Sequence, residues 1–281
     1  MHWWQAIILG LVEGLTEYVP VSSAGHVLLA QFAMGMDTTH AAEQAAKAYA
    51  IFLQAGAIVA VVGLYWRRIR QMLAGLMGKD RQGLHLAICI LVAFLPAAVI
   101  GLLIEHWMKE HLFRLWPLVG AWGVGGLVIL AVAWHRHRKG EKPTTGFAMT
   151  ALTWKMALVI GLAQCLSMWP GTSRSLVTII AGVLVGMSLP AAVEFSFLLG
   201  VITLGAASGY EGLKHHQILL HAYGPLTMAI GFVFAWIAAV ISVKWMVAYL
   251  NRHGLAIFGY YRVALALTVA ILILTGVLAI T

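Results

Sequence analysis

Long apolar runs alternate along this chain with short segments that carry most of its lysine and arginine residues. Six of these runs are long enough for a helix to cross the roughly 30 Å hydrocarbon core of a bilayer. Four contain no charged residue, and the other two contain one each, Glu194 and Arg262. The six runs are residues 48–66, 86–104, 116–134, 189–210, 223–243 and 257–281. The pattern predicts an all-α membrane protein with six transmembrane helices.

Two further apolar regions, residues 3–34 and 154–187, are interrupted in their middle by polar residues and a proline. The interruption around Pro20 is called the first break below, and the one around Pro170 is called the second break. Each pattern indicates a helix, a break and a second helix. Irregular backbone at membrane depth is tolerated only where it is buried in protein or lines a water-filled cavity. We therefore predict a re-entrant helical hairpin in each region.

The two broken regions resemble each other at one constant offset. The correspondence joins GLVE at 10–13 and Ser22 to GLAQ at 161–164 and Ser173. In the predicted topology the two hairpins enter the membrane from opposite faces, which is the signature of an inverted repeat with its special site at the repeat interface. We expect one integral membrane domain over 1–281, with a first half over 1–134, a cytoplasmic linker over 135–153 and a second half over 154–281.

Composition and charge support this layout. The chain is 62% hydrophobic and 10% charged, whereas a soluble domain is about half apolar and a quarter charged, so soluble and disordered classes are excluded. The net charge of +8 comes mainly from residues on one predicted face, which the positive-inside rule assigns to the cytoplasm. It therefore indicates orientation and not nucleic-acid binding, with the first hairpin on the outer side. The outer face receives Lys47, Lys109, Arg114 and Lys214.

Ionisable side chains within apolar regions are the first candidates for chemistry, because an unpaired buried charge is costly. Glu13 and Glu17 are four residues apart, so on a helix their carboxylates share one face. Two like charges this close are reasonable when a divalent cation or an arginine lies between them, or when one carboxyl keeps its proton. The alternative is that they pair with Arg174 or Arg262 and only stabilise the fold.

The first break carries a hydroxyl and an imidazole. Ser22 lies at a predicted helix start, where a serine ordinarily caps the backbone. Ser23 and His26 are three residues apart, close enough for the imidazole to take or position a hydroxyl proton. With two carboxylates upstream, this set indicates nucleophilic chemistry.

The second break has the composition of an anion-binding loop. Gly171, Thr172 and Ser173 precede a predicted helix over 176–185 whose N-terminal dipole would face the ligand. Arg174 adds a planar guanidinium that matches phosphate oxygens. The alternative is a capped helix whose arginine neutralises a glutamate, and both roles can coexist. Together the two breaks suggest phosphoryl transfer on a lipid-borne phosphate.

These motifs resemble those of a known family. EGLTEYVPVSSAGH at 13–26 and PGTSRS at 170–175 are similar to the two signature motifs of the undecaprenyl-diphosphate phosphatase (BacA/UppP, bacitracin-resistance) family. The resemblance covers nearly the whole chain, and extends to Gln54, to EFSFLL at 194–199 and to Tyr261-Arg262.

The resemblance implies a multi-pass enzyme of the bacterial cytoplasmic (inner) membrane that hydrolyses undecaprenyl diphosphate to the monophosphate on the outer side. This reaction recycles the carrier for peptidoglycan synthesis and confers bacitracin resistance. It also implies a divalent cation, Mg²⁺ or Ca²⁺, contact with membrane lipids, and a homodimer. By motif position it makes Glu13 and Glu17 the acidic, metal-binding pair, Ser23 the nucleophile, His26 its partner, and Ser173 and Arg174 the diphosphate ligands.

Further substrate contacts are expected from Ser22, Gly171, Thr172 and Gln54, although a glutamine can equally link membrane helices. Whether Ser23 or His26 attacks phosphorus is open. The main rival function is a transporter or flippase of a polyprenyl-phosphate lipid or another anion, because broken helices in an inverted repeat are also a transporter's architecture. Transport alone needs no Ser23–His26 arrangement, which favours the enzyme.

Overall fold

The structure is a computed structural model, which describes residues 1–36, 39–112 and 115–278. Over these residues the chain is helical, with two short 3-10 turns at Met149–Ala151 and Cys165–Met168. The helices are α1 (Trp3–Thr16), α2 (Ser23–Ala33), α3 (His40–Leu64), α4 (Trp66–Leu76), α5 (Arg81–His111), α6 (Leu115–Arg138), α7 (Trp154–Gln164), α8 (Arg174–Leu184), α9 (Leu189–Ala222), α10 (Pro225–His253) and α11 (Ala256–Leu274).

Six helices are long and apolar enough to cross a membrane, as the hydrophobic pattern predicts. Each contains most of one predicted run, so the prediction of a multi-pass helical membrane protein is confirmed. Two parts of the sequence predictions lie outside the described residues: Arg114, and residues 279–281 at the end of the last predicted run. The six segments are Ala41–Leu64, Arg81–Ile104, Leu115–Arg138, Leu189–Lys214, Pro225–His253 and Ala256–Leu274.

The two interrupted regions form pairs of short helices. α1 has 14 residues and α2, α7 and α8 have 11 each, so at 1.5 Å per residue they reach only about 16–21 Å. In each pair the second helix follows a serine with positive φ, 76° at Ser22 and 73° at Ser173. The same number of residues separates Trp3 from Trp154 as separates Ser22 from Ser173. The two breaks therefore match in backbone geometry as well as in sequence.

Glycines allow the first pair to pack deep within the bundle. α1 lies against α10, where a Cβ at Gly14 would be 2.8 Å from the Cβ of Ala238. α2 lies against α6, where a Cβ at Gly25 would be 2.8 Å from Cε2 of Trp122. Small residues let membrane helices approach closely, and these contacts fix the first break inside the protein.

The segment after α6 is anchored to the end of α8. Phe147 donates its N–H to the carbonyl of Gly186 at 3.0 Å and accepts from the N–H of Ser188 at 3.0 Å. α6 continues helically to Arg138, four residues into the linker predicted over 135–153. Sequence reasoning ended the helix at Trp134 because the basic residues after it are not apolar.

Candidate active site

The first and second breaks meet through three side chains. Oε2 of Glu17 accepts a hydrogen bond from the hydroxyl of Ser23 at 2.5 Å, and Oε1 accepts from Nη2 of Arg174 at 3.5 Å. Glu17 follows α1 with helical geometry, since its N–H donates to the carbonyl of Glu13 at 2.9 Å. All three side chains are largely buried. The structure thus joins a hydroxyl, a carboxylate and a guanidinium at one point.

Arg174 is held by several contacts, and some of its N–H groups remain unused. Its Nη1 donates to the carbonyl of Ser196 at 3.0 Å, and its guanidinium lies 5.4 Å over the ring of Tyr18. The backbone of α9 approaches closely at Gly200, where a Cβ would be 2.6 Å from Cζ of Arg174. Its Nε has no hydrogen-bond partner among the described residues. An arginine has five N–H donors, so this one can bind an anion without leaving Glu17.

Glu13 lies beside Glu17 at the inner end of a cavity. It is 1% exposed, it lies one helical turn before Glu17, and its Oε1 has no hydrogen-bond partner within the described chain. The cavity has a volume of about 480 Å³ and touches both breaks, at Ala24 and at Pro170. A buried carboxylate pair is unfavourable unless it shares a proton or holds a cation. The predicted acidic pair is therefore brought together.

The acidic pair fits a divalent cation that takes its other ligands from the substrate. Within the described residues there is no group of three or more histidine, cysteine, aspartate or glutamate side chains arranged to hold a metal. Mg²⁺ is commonly bound by one or two carboxylates with water and substrate phosphates completing the shell. The unpartnered Oε1 of Glu13 is an oxygen donor of the required kind, so the residues fit such an ion.

The hydroxyl residues of the two breaks differ in what they bind. Ser173 caps α8 by accepting from the N–H of Leu176 at 3.4 Å, and its hydroxyl contacts that of Ser175 at 3.0 Å. Ser22 precedes α2, but the described residues provide no capping bond to its side chain. A non-glycine residue with positive φ costs about 1–3 kcal/mol and occurs preferentially at functional sites. Ser22 is thus available for a ligand, while Ser173 has a capping role.

Gly171 and Thr172 shape the second break. Gly171 has a φ of +92°, and a Cβ there would be 2.8 Å from the carbonyl oxygen of Leu118, so a larger residue would push the loop away from α6. Thr172 donates its N–H to the carbonyl of Trp169 at 3.1 Å, which closes the turn. In the structure both residues define the loop that presents Arg174.

His26 does not contact the Ser23 hydroxyl, which is contrary to the expectation from their spacing. Nδ1 donates to the carbonyl of Ser22 at 2.7 Å, because a carbonyl can only accept. Nε2 lies 2.7 Å from the hydroxyl of Tyr261, whose ring stacks on the imidazole at 5.7 Å. Ser23 donates to Glu17 instead. A spacing of three residues brings two Cα atoms near each other, but χ1 of each side chain decides where its polar atoms point.

Arg262 links the two breaks without touching the acidic pair. Nη1 donates to the carbonyl of Pro20 at 3.3 Å, and Nη2 donates to those of Ala121 at 2.9 Å and Gly171 at 2.8 Å. Its side chain is fully buried, at 0% exposure. Sequence reasoning identified Arg262 as an intramembrane charge, but the backbone carbonyls that it binds leave no sign in the sequence.

Two other polar residues, Gln54 and Glu194, each contact a neighbouring helix. Gln54 lines the cavity, and its Oε1 accepts from the hydroxyl of Ser208 at 2.9 Å, so it both faces the cavity and links α3 to α9. Glu194 accepts from Nε of Arg68 at 2.7 Å. Glu194 is therefore paired with an arginine of α4.

The amino-acid sequence of this chain is similar to one family model and to several curated proteins. The family model described as bacitracin resistance protein BacA matches residues 6–268. The undecaprenyl-diphosphatase of Sorangium cellulosum is 42% identical, over 94% of this chain and 84% of its own length. Undecaprenyl-diphosphatase 2 of Rhodospirillum rubrum is 43% identical over 94% and 93%, respectively. The undecaprenyl-diphosphatase of a Polaromonas species is 39% identical over 97% and 96%.

Proposed function

The chain belongs to the bacitracin resistance protein BacA family, and we propose that it hydrolyses undecaprenyl diphosphate to undecaprenyl monophosphate and phosphate. This reaction recycles the lipid carrier for peptidoglycan synthesis and confers resistance to bacitracin. One observation carries the assignment to a site: the buried contact of Ser23, Glu17 and Arg174. It combines a nucleophile, a proton acceptor and a phosphate ligand between the two breaks.

The diphosphate binds against the second break. Arg174 donates to its oxygens, and the N-terminus of α8 adds a favourable dipole for an anion. Ser22 is a further hydroxyl ligand, and Ser173 becomes one when its hydroxyl proton turns from Ser175 to a phosphate oxygen. Gly171 and Thr172 keep the loop close to the head group. The arginine remains beside Glu17, so binding also brings the terminal phosphorus towards Ser23.

Ser23 is the nucleophile and Glu17 is its base. The hydroxyl proton moves to Oε2 of Glu17 along the existing 2.5 Å hydrogen bond as Oγ forms a bond to the terminal phosphorus. The bond from that phosphorus to the bridging oxygen breaks, and undecaprenyl monophosphate leaves with the electron pair. Glu17 passes this proton to the departing monophosphate and is again a carboxylate. Water then attacks the phosphorus of the phosphoserine while Glu17 accepts a proton from the water. The bond from phosphorus to Oγ breaks, Glu17 returns the proton to Oγ of Ser23, and phosphate is released. Charge on the transferring phosphoryl is stabilised by Arg174.

A divalent cation, Mg²⁺ or Ca²⁺, would be held by Glu13 and Glu17. When bound it supplies positive charge to the phosphate oxygens. The unpartnered Oε1 of Glu13 supports this assignment.

His26 positions the first break, and it is the alternative nucleophile. Its Nδ1 holds the carbonyl of Ser22, next to the nucleophile, while Tyr261 fixes Nε2. Attack by His26, or by a water that it activates, would require the imidazole to leave Tyr261. The existing bond from Ser23 to Glu17 favours the serine. Gln54, on the cavity wall, contacts the substrate beyond the diphosphate.

The architecture is an inverted repeat with two opposed re-entrant hairpins, 3–34 and 154–187, within one integral membrane domain. Three observations support this: the short helices, the matched positive φ angles at Ser22 and Ser173, and the constant residue separation. Lys47 lines the cavity near the start of α3, on the face with few positive charges. The cavity therefore opens to the outer side of the bacterial inner membrane. The protein works among membrane lipids and assembles as a homodimer.

Phosphate release by the purified protein from C55 diphosphate, with and without a chelator, tests the proposal. We expect release by the wild type, loss with chelator, and loss in Ser23→Ala. Ser188→Ala is the matched control, because within the described residues the Ser188 side chain makes no capping bond at the start of α9. Full activity in Ser23→Ala together with none in His26→Ala would move the nucleophile to the imidazole. Substrate movement in liposomes without any hydrolysis would favour the transporter or flippase.

A further inference from the structure

A second cavity, lined by α3 and α9, adjoins the cavity that Glu13, Ala24 and Pro170 line, which we call the active-site cavity. It has a volume of about 350 Å³ and lies between α3 and α9, and we refer to it as the α3–α9 groove. The two cavities share Ala48, Ile51 and Glu211 in their walls. Because three residues line both, the two cavities adjoin, and we infer that a molecule in the active-site cavity extends into the groove past these residues.

Glycines of α9 form the floor of the α3–α9 groove. Gly205, Gly209 and Gly212 line it and follow the spacing that places residues on one helix face. A Cβ added at Gly205, Gly209 or Gly212 would meet no atom within 4 Å in the part of the chain that the structure describes. The apolar wall opposite comes from α3, including Phe52 and Ile58. The groove is therefore mostly apolar, with free space above its glycine floor.

Among the described residues that line the two spaces, the polar ones of the groove are Ser208 and Glu211, and Glu211 also lines the active-site cavity. Gln54 lines the active-site cavity and Ser208 lines the groove, and their 2.9 Å hydrogen bond lies at the junction between the two. Glu13, 1% exposed and with an unpartnered Oε1 among the described residues, lines the cavity beyond the junction. A ligand that fills both spaces must therefore have a polar head and an apolar tail.

We propose that the α3–α9 groove binds the isoprenoid tail of a polyprenyl diphosphate substrate, an inference that rests on the proposed function. The diphosphate is buried between the breaks, so the tail must leave the protein by some path, and this groove is continuous with the site. Lipid tails are as apolar as the groove, so little affinity comes from burial itself. The groove instead fixes the direction of the tail and so helps to orient the head group.

A second copy of the chain is the rival occupant, because Gly205 and Gly209 have the spacing of small-residue contacts between membrane helices. Continuity with the active-site cavity favours the tail: a partner helix would need only the glycine face and no connection to Gln54.

The test replaces a floor glycine and compares two chain lengths. Gly209→Leu puts a side chain into the groove at a position where its Cβ meets no atom of the described chain within 4 Å, and Gly120→Leu is the matched control on α6, where the same holds. KM and kcat are measured with C55 and with C15 prenyl diphosphate, and the oligomeric state is measured by light scattering. We expect kcat/KM for the C55 substrate to fall on the order of tenfold in Gly209→Leu, because the tail no longer orients the head group, and kcat/KM for the C15 substrate to change by less than about twofold.

An unchanged kcat/KM for the C55 substrate, or an equal loss with both substrates, would overturn the inference, and so would a change of oligomeric state without a chain-length effect. A second measurement does not depend on hydrolysis. A photo-crosslinking amino acid replaces Val59, which lines the groove, or Val124, an exposed control on α6. Crosslinking of C55 diphosphate at Val59 but not at Val124 supports the groove, and equal yields contradict it. A wild type that releases no phosphate would overturn the proposed function, while the crosslink still decides the groove.

Discussion

Replacing Glu17 by glutamine separates its chemical role from its structural one. The amide has nearly the shape of the carboxylate, and its oxygen can still accept the Ser23 hydroxyl, which is now 2.5 Å from Oε2. An amide cannot take up the proton, so general-base assistance is lost, which typically contributes about 10²–10⁴-fold. This corresponds to about 3–5 kcal/mol of transition-state stabilisation. We expect kcat to fall by this factor while KM stays similar, because Arg174 loses a partner but keeps its bond to Ser196.

The assay is phosphate release at saturating C55 diphosphate, with thermal unfolding measured on the same preparations. Glu194→Gln is the matched control, since this carboxylate also accepts a bond from an arginine, Arg68, but lies away from the site. A titration with Mg²⁺ separates the two proposed roles of Glu17: excess cation restores activity only if the loss is one of metal affinity. A Glu17→Gln enzyme with kcat within about threefold of wild type would refute the base assignment.

Three further changes test how the site is held. Gly200→Ala should lower kcat/KM by about 10²-fold, because its Cβ would be 2.6 Å from Cζ of Arg174 and would displace the guanidinium. Gly120→Ala is the control, and equal kcat/KM values for the two variants would contradict the expectation. Arg262→Leu should lower the free energy of unfolding by about 3 kcal/mol, since three buried carbonyls each lose roughly 1 kcal/mol; a denaturation midpoint equal to that of wild type would contradict this. Tyr261→Phe removes the hydroxyl that bonds the imidazole, and kinetics should show kcat within about tenfold of wild type; complete loss would instead favour the histidine as nucleophile.

The helices and the main partners of the site were predictable because hydrophobic length and buried charge leave direct signs in a membrane sequence. Six runs of sufficient length became the six long apolar helices. Glu13 and Glu17 share a face because the helical geometry of α1 continues through Glu17. Arg174 was expected near a glutamate because an intramembrane charge needs a partner, and the structure pairs it with Glu17.

Side-chain direction and contacts to the backbone were not predictable in this way. The spacing of Ser23 and His26 suggested a contact, but rotamers send one to Glu17 and the other to Tyr261. Arg262 binds only backbone carbonyls among its described contacts, and a carbonyl is present at every residue, so no pattern of side chains marks those it binds.

The matched breaks explain how one backbone geometry produces two different chemical groups. Ser22 and Ser173 have nearly the same positive φ, and each is followed directly by the first residue of a helix, Ser23 or Arg174. Both of these residues point to the carboxylate of Glu17. At the equivalent place one break therefore supplies the hydroxyl and the other the guanidinium. Two identical residues at these positions would give two nucleophiles with no phosphate ligand, or two cations with no nucleophile, so the chemistry depends on the point at which the two breaks differ.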